Sequence, residues 1–353
     1  MKLTLHILPG RQASVFFLIA VYSLLFLGRT DTSAQDVHFS QYLNAPLLLN
    51  PSLTGNSSYR VRAGLNYRNQ WASVTKPFIT QDAFGDVKLT PKKLKNDWIG
   101  VGALVYNDKA GDGNLKTTKG FLFGSYNKSF NRINTFYGGI GLSLGFANRS
   151  IEYDKLYFES QWIGYRFDTQ KETNELLSDD SFFYFDMNAG LFVKYIEPKK
   201  YEFHLGASFN HVNRPHEKFY IYDQRMGFKT ILHGGISILL NEEIFIKPDI
   251  MYTFVNTSDE LLVGGMVGYK VDESYFYLGC WTRTGRDVIP VAGFFYQGFR
   301  IMASYDYNVS KLHYASQHKG GFEISLTKSI RMLENTFGSK FKSASSVPKF
   351  SSY

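Results

Sequence analysis

From Tyr59 onward the chain repeats one device, an alternating segment of about ten residues followed by a polar break. Successive side chains of a strand point to opposite faces, so each segment carries two chemically distinct surfaces. In residues 59–68, Tyr59, Val61, Ala63, Leu65 and Tyr67 share one face, while Arg60, Arg62, Gly64, Asn66 and Arg68 share the other. The split recurs near the end, where Phe299, Ile301, Ala303, Tyr305 and Tyr307 oppose Arg300, Met302, Ser304, Asp306 and Asn308. A soluble β-sandwich and a membrane barrel both produce this alternation, so the connections between segments must discriminate between them.

Candidate strands cover 59–69, 78–90, 97–107, 116–128, 133–148, 182–196, 201–212, 228–240, 244–255, 259–270, 274–283, 287–296, 299–308 and 320–328. They number about fourteen, an even count of the kind single-chain bacterial barrels show. Taken alternately, one set of connections is tight: 91–96, 129–132, 197–200, 241–243, 271–273 and 297–298. The other set contains every long loop, including 149–181, 213–227 and 309–319. Short turns on one side and long loops on the other are the outer-membrane arrangement, with the short turns periplasmic. The fold class expected is therefore all-β: a transmembrane antiparallel outer-membrane barrel.

Composition agrees. Phe (31), Tyr (24) and Gly (31) are abundant, and a mean hydropathy of -0.21 is too low for a bundle of membrane helices. The charge of +8 is spread singly through the strands instead of forming a stripe, so nucleic acid is not an expected partner. Cys280 is the only cysteine, which excludes an internal disulfide framework. Residues 1–34 read as a signal peptide: Lys2 and Arg11 precede the apolar run 15–27, and Thr32, Ser33 and Ala34 offer a cleavage site before Gln35. A membrane anchor is the alternative. Residues 35–58 then form an N-terminal segment and 330–353 a basic tail, both expected in the periplasm, flanking a barrel over 59–329.

No P-loop, dinucleotide fingerprint, nucleophile elbow or zinc-ligand spacing is present, so the reading is a non-enzyme with neither cofactor nor metal. Asp82 and Asp86 share a face and could pair for acid–base work, but lumen charges balanced by Arg60, Arg62 and Arg68 explain them better. His204 and His211 fall on opposite faces by parity, and His216 and His233 lack a placeable ligand partner. Residues 107–114 are faintly like a calcium loop, although the closing bidentate acid is missing and hairpin chemistry suffices.

Several ordered segments carry a resemblance. QDVHFSQYLNAPLLLNPSLTG (35–55) and YRNQWASVTKPF (67–78) are followed by VYNDKAGDGNL (105–115), KLYFESQW (155–162) and NHVNRPHEKF (210–219). GRDVIPVAGFFYQGFRIMASYDYNVSKL (285–312) and GGFEISL (320–326) complete the series. The chain resembles the PorP/SprF family of type IX secretion system outer-membrane proteins of Bacteroidetes. It departs at Asn44 and Ala45, where an aromatic pair is usual, and at SSVPKF (345–350), in place of a cysteine-containing proline tail.

The resemblance implies a monomeric barrel working with type IX components and an exported cargo protein. Some members serve a large surface adhesin with a type B C-terminal sorting domain, and others belong to the motor-linked core. Long loops with Trp, Tyr and Arg are the expected contact surface, beginning with Arg68, Asn69, Gln70 and Trp71 in the first loop and Asn213, Arg214 and Pro215 in a later one. Turn-forming and girdle roles remain open for each. A passive diffusion channel is the second reading, and an outer-membrane hydrolase the third.

Overall fold

A computed structural model describes residues 39–72, 76–222, 224–256, 258–310 and 319–330. The signal-peptide reading of 1–34, the tail 330–353 beyond its first residue and most of the 309–319 loop lie outside these residues. Among the described residues, fourteen strands form one closed antiparallel barrel. They are β1 (Val61–Gln70), β2 (Phe78–Leu89), β3 (Trp98–Ala110), β4 (Leu115–Ser129), β5 (Phe136–Ser150), β6 (Ser181–Glu197) and β7 (Tyr201–Asn210), then β8 (Lys229–Leu239), β9 (Ile244–Val255), β10 (Ser258–Val271), β11 (Ser274–Arg283), β12 (Asp287–Tyr296), β13 (Phe299–Asn308) and β14 (Lys319–Ile330). Each strand pairs with its sequence neighbours, and β1 closes the ring on β14 from Val61 opposite Ile330 to Gln70 opposite Gly321. Closure leaves no open edge, which a lipid environment requires because backbone groups there have no water to bond.

The two faces are inverted relative to a soluble sandwich. Along β4, Phe121, Phe123, Ser125 and Asn127 are buried, while Leu122, Gly124 and Tyr126 are exposed. Exposed apolar side chains recur around the ring at Leu65, Val105, Leu142, Leu191, Leu205 and Leu278. Exposed aromatics band both ends: Phe136 and Tyr195 at the short-turn end, Phe146 and Phe185 at the long-loop end. Ten residues separate the members of each pair along one strand, a rise of about 25 Å at a tilt of about 40°. That matches the height of an outer-membrane apolar band. Leu122, 71% exposed at the middle of β4, sits at mid-depth. Leu122→Arg is therefore expected to cost about 2–4 kcal/mol of folding free energy in lipid, while the same change near either girdle costs about 1 kcal/mol or less. Unfolding titrations in vesicles measure the difference.

Connections follow the predicted asymmetry. The long ones, 151–180 and 211–228, both open at the end where β1 finishes. They meet through a cluster of Phe182, Tyr184, Phe219 and Met226, a hydroxyl of Tyr153 that donates to the carbonyls of Asp179 and Phe219, and an Arg149–Glu217 ion pair. A two-residue ribbon, His216–Glu217 against Gln224–Arg225, stiffens the second. On the exposed 151–180 loop, hydrogen bonds from Lys155 and Asn114 hold the Glu152 carboxyl below its usual range.

The expectation that 35–58 lies beside the barrel in the periplasm needs correction, because residues 39–58 run inside the ring and most are fully buried. The segment starts at the long-loop end, where Ser40 and Gln41 bond to Glu323 on β14. It then forms a short helix, Pro46–Leu49, flanked by two single turns, and reaches the short-turn end beside Arg62 and Asp86 before β1 begins. Its apolar PLLL and NPSL stretches pack on large apolar side chains facing inward, among them Phe84, Leu104, Trp98 and Phe192. Burying that surface stabilises the segment inside the ring, where a free periplasmic position would leave it wet.

Candidate functional site: a plugged lumen beneath two long loops

The lumen wall is polar, and its charges are matched. Arg68, at the loop end of β1, contacts Asp306 and Glu323, each at 2.8 Å. Arg283 binds Asp287, Glu260 and Asp306. The Ser40 hydroxyl sits between these two arginines, donating to Asp306 at 2.8 Å and accepting from Arg68 at 3.2 Å and Arg283 at 2.9 Å. The backbone N–H groups of Ser40 and Gln41 donate to the two oxygens of Glu323 at 2.7 and 2.9 Å. The first residues of the plug are thus clamped to four wall strands, β13, β14 and β1 and, through Arg283, β11. These buried charges are tolerable because each has an opposite charge within reach.

Midway down, Asn50 donates to the Leu191 carbonyl at 2.9 Å and to His233 Nε2 at 3.0 Å, while its oxygen accepts from Ser52. Near the short-turn end Arg62 bridges Asp86 at 2.8 Å and the carbonyl of Leu53, and Asp86 accepts from the Gly55 N–H at 2.6 Å. The wall has given up side chains where the plug touches it. A Cβ on Gly190 would lie 1.9 Å from Asn50 Oδ1, and one on Gly100 would lie 2.0 Å from the Thr54 carbonyl oxygen. Only glycine admits backbone or side-chain contact that close.

Several sequence expectations meet this geometry differently. Asp86 pairs with Arg62 as expected, but Asp82 accepts from Asn66, and Arg68 turns to Asp306 and Glu323 instead of to β2. Arg68, expected within the 59–69 strand and also at the first-loop contact surface, belongs with Asn69 and Gln70 to β1, and Arg68 is buried because its partners lie inside the ring. Asn69 and Gln70 are half-buried at the rim; Trp71 turns outward with φ of 58° and packs on Phe78 at 5.1 Å. Asn213 donates to the Phe185 carbonyl and accepts from the Met187 N–H, so its side chain extends pairing to β6 after β7 has ended. Arg214 is exposed, with φ of 43°, and Pro215 is buried.

The parity argument that separated His204 from His211 fails because β7 stops at Asn210 and His211 has φ of 57°. Both rings face inward, His204 toward Asp249 at 3.2 Å and His211 to Asp186 at 2.9 Å. Among the described residues no group of three or more potential ligands is placed to hold a metal ion. Residues 107–114 form the end of β3 and a tight turn with positive φ at Gly111 and Asn114. The signal that sequence reading missed is the plug itself.

A closed barrel with an oily exterior and a plugged polar lumen defines an integral outer-membrane protein. Its fold is similar to that of the P. putida toluene transporter TodX, with a TM-score of 0.51 at 10% identity, covering 82% of this chain and 95% of that one. A TodX deltaS2 mutant gives 0.50 at 8% identity, covering 82% and 94%. A Pseudomonas aeruginosa FadL homologue gives 0.47 at 10%, covering 79% and 92%. No curated protein matches the sequence. The profile described as type IX secretion system membrane protein PorP/SprF matches residues 31–327, and the chain belongs to that family.

Proposed function

We propose that this barrel supports the secretion or surface attachment of an exported cargo protein, an adhesin with a type B C-terminal sorting domain, as a monomeric partner of other type IX components. Family membership supports a place in the secretion system. The observation that carries the finer reading is the filled lumen joined to a built loop platform. A ring whose interior is occupied by its own residues 39–58 is poorly suited to passive diffusion, while the 151–180 and 211–228 loops, tied together over its mouth, present Tyr157, Trp162, Tyr165, Tyr220 and Tyr222 to solvent. Exposed aromatics on a stiff scaffold lose little conformational entropy on binding and are favoured as contact anchors. Gln70, Trp71, Asn213 and Arg214 border the same mouth and join the proposed contact surface. The short turns face the periplasm in this reading.

Replacing residues 157–176 by a short Gly-Ser linker in the native cell should leave the barrel inserted at normal abundance and remove the cargo from the cell surface. Membrane fractionation and whole-cell labelling of the cargo read the two effects. Undiminished cargo on cells carrying the shortened loop would refute the contact role.

A further inference from the structure

The outer wall of the barrel changes chemistry step by step toward the long-loop end of β3, β4 and β5. Val105, Gly120 and Phe146 pair across these strands and face outward, with Val105 59% and Phe146 69% exposed. Two positions farther along, Asn107, Thr118 and Asn148 take their place, and Asn107 Nδ2 donates to Thr118 Oγ1 at 2.8 Å. Two positions beyond these stand Lys109 and Lys116, directly opposite each other and both exposed. The lysines lie four positions past the Phe146 rung, about 10 Å along the barrel axis at a tilt of about 40°. That span carries the wall from the aromatic girdle into the zone of lipid headgroups.

Charge and shape together restrict what this surface meets. Like charges directly opposite each other on neighbouring strands destabilise a sheet, and neither ammonium makes an ion pair among the described residues. The acids nearby are already engaged: Glu152, within electrostatic reach of Lys109, binds Lys155 and Asn114, and Asp112 reaches Lys76 at 3.8 Å. On the membrane side of the lysines, Gly120 opens a notch. A Cβ built on it meets nothing within 4 Å, while the exposed side chains of Val105, Leu122 and Phe146 stand around it. A free anion would use the two charges and leave the notch empty, whereas an acyl chain with an anionic head uses both.

We infer that Lys109, Lys116 and the Gly120 notch form a seat for one phosphorylated lipid of the leaflet at the long-loop end, its phosphate between the two ammonium groups and an acyl chain lying over Gly120. A phosphomonoester head matches the seat, because it carries about −1.5 to −2 charges at pH 7 and so answers both lysines. Asn107, Thr118 and Asn148 offer hydrogen-bonding groups at the level where chain joins head. The seat is independent of the cargo reading, since it needs only the outer wall and its place in a membrane.

The test is native mass spectrometry of the intact protein, released from detergent micelles after titration with dioleoyl phosphatidic acid, dioleoyl phosphatidylcholine or dioleoylglycerol. One saturable phosphatidic acid adduct is expected, formed at about a tenfold lower concentration than an adduct of either other lipid. Glycerol 3-phosphate and hexaglutamate, which carry charge without chains, should leave that lipid bound even at about a hundredfold excess. Lys109→Gln and Lys116→Gln should each weaken the adduct about tenfold. Gly120→Leu, which fills the notch and removes no charge, should weaken it as well. Its new side chain enters open space, so the barrel stays folded, as heat-modifiable migration will show. Lys128→Gln, at the short-turn end of β4, should change nothing. Equal loading of all three lipids, displacement by either soluble anion, or affinity unchanged in the folded lysine and glycine variants would overturn the proposal.

Discussion

Removing residues 39–56 will convert a closed protein into an open pore: in planar bilayers the intact barrel will show little steady conductance, and the deletion about tenfold more or above. A fourteen-stranded ring is wide enough to enclose water once its interior is cleared, and nothing in the strand pairing requires the plug, since every strand already has two neighbours. The wall charges released by the deletion keep partners of their own: Arg62 with Asp86, Arg68 with Asp306 and Glu323, Arg283 with Asp287. Should the deletion prevent insertion, Gly190→Val tests the same idea more gently. Its new Cβ would sit 1.9 Å from Asn50 Oδ1, displacing the middle of the plug and producing intermittent openings. Steady high conductance from the unaltered protein would show that the plug does not seal.

The second large effect is expected at Arg68. Arg68→Met takes the arginine from Glu323 and leaves Asp306 with Arg283 alone, at 3.6 Å, in the buried lumen, and removing one partner of a buried ion pair typically costs about 3–5 kcal/mol. Urea titrations in detergent, followed by tryptophan fluorescence, should show this as a lowered midpoint. Adding Glu323→Gln should restore a substantial part of the loss, because it removes one of the stranded charges while keeping side-chain volume and hydrogen-bonding atoms. A double variant as unstable as Arg68→Met alone would mean that the arginine acts through packing and not through its charge.

The barrel was legible in the sequence because its signal is local. Four strands, including Ile244–Val255 and Phe299–Asn308, run between the very residues that alternation predicts, since inside and outside differ in chemistry at every second position. The arrangement of tight turns and long loops was legible for the same reason. The plug was not, because its partners lie far away in the chain: Ser40 meets Asp306 across 266 positions and Glu323 across 283. A stretch such as NAPLLLNPSL has neither strand alternation nor enough length for a membrane helix, so read alone it is merely an irregular segment. Arg68 is legible as a strand residue on the polar face, but the reach of its side chain is not, for a related reason. The polar run Arg68-Asn69-Gln70 ends the visible alternation, although the ladder continues to Gln70, and only the distant acids reveal which way the guanidinium points. His211 shows the opposite failure, with parity carried one residue past the point where the strand stops.

The clamp around Ser40 lies at the seam where the ring closes. Among the described residues β1 is the first strand of the chain and β14 the last, and their pairing is the one in the ring that joins strands far apart in sequence. Residues 40 and 41 reach Glu323 on one side of that meeting point while Arg68 answers from the other. The seam of the ring and the seat of its axial segment thus draw on one carboxylate, so a fault at Glu323 would loosen both at once.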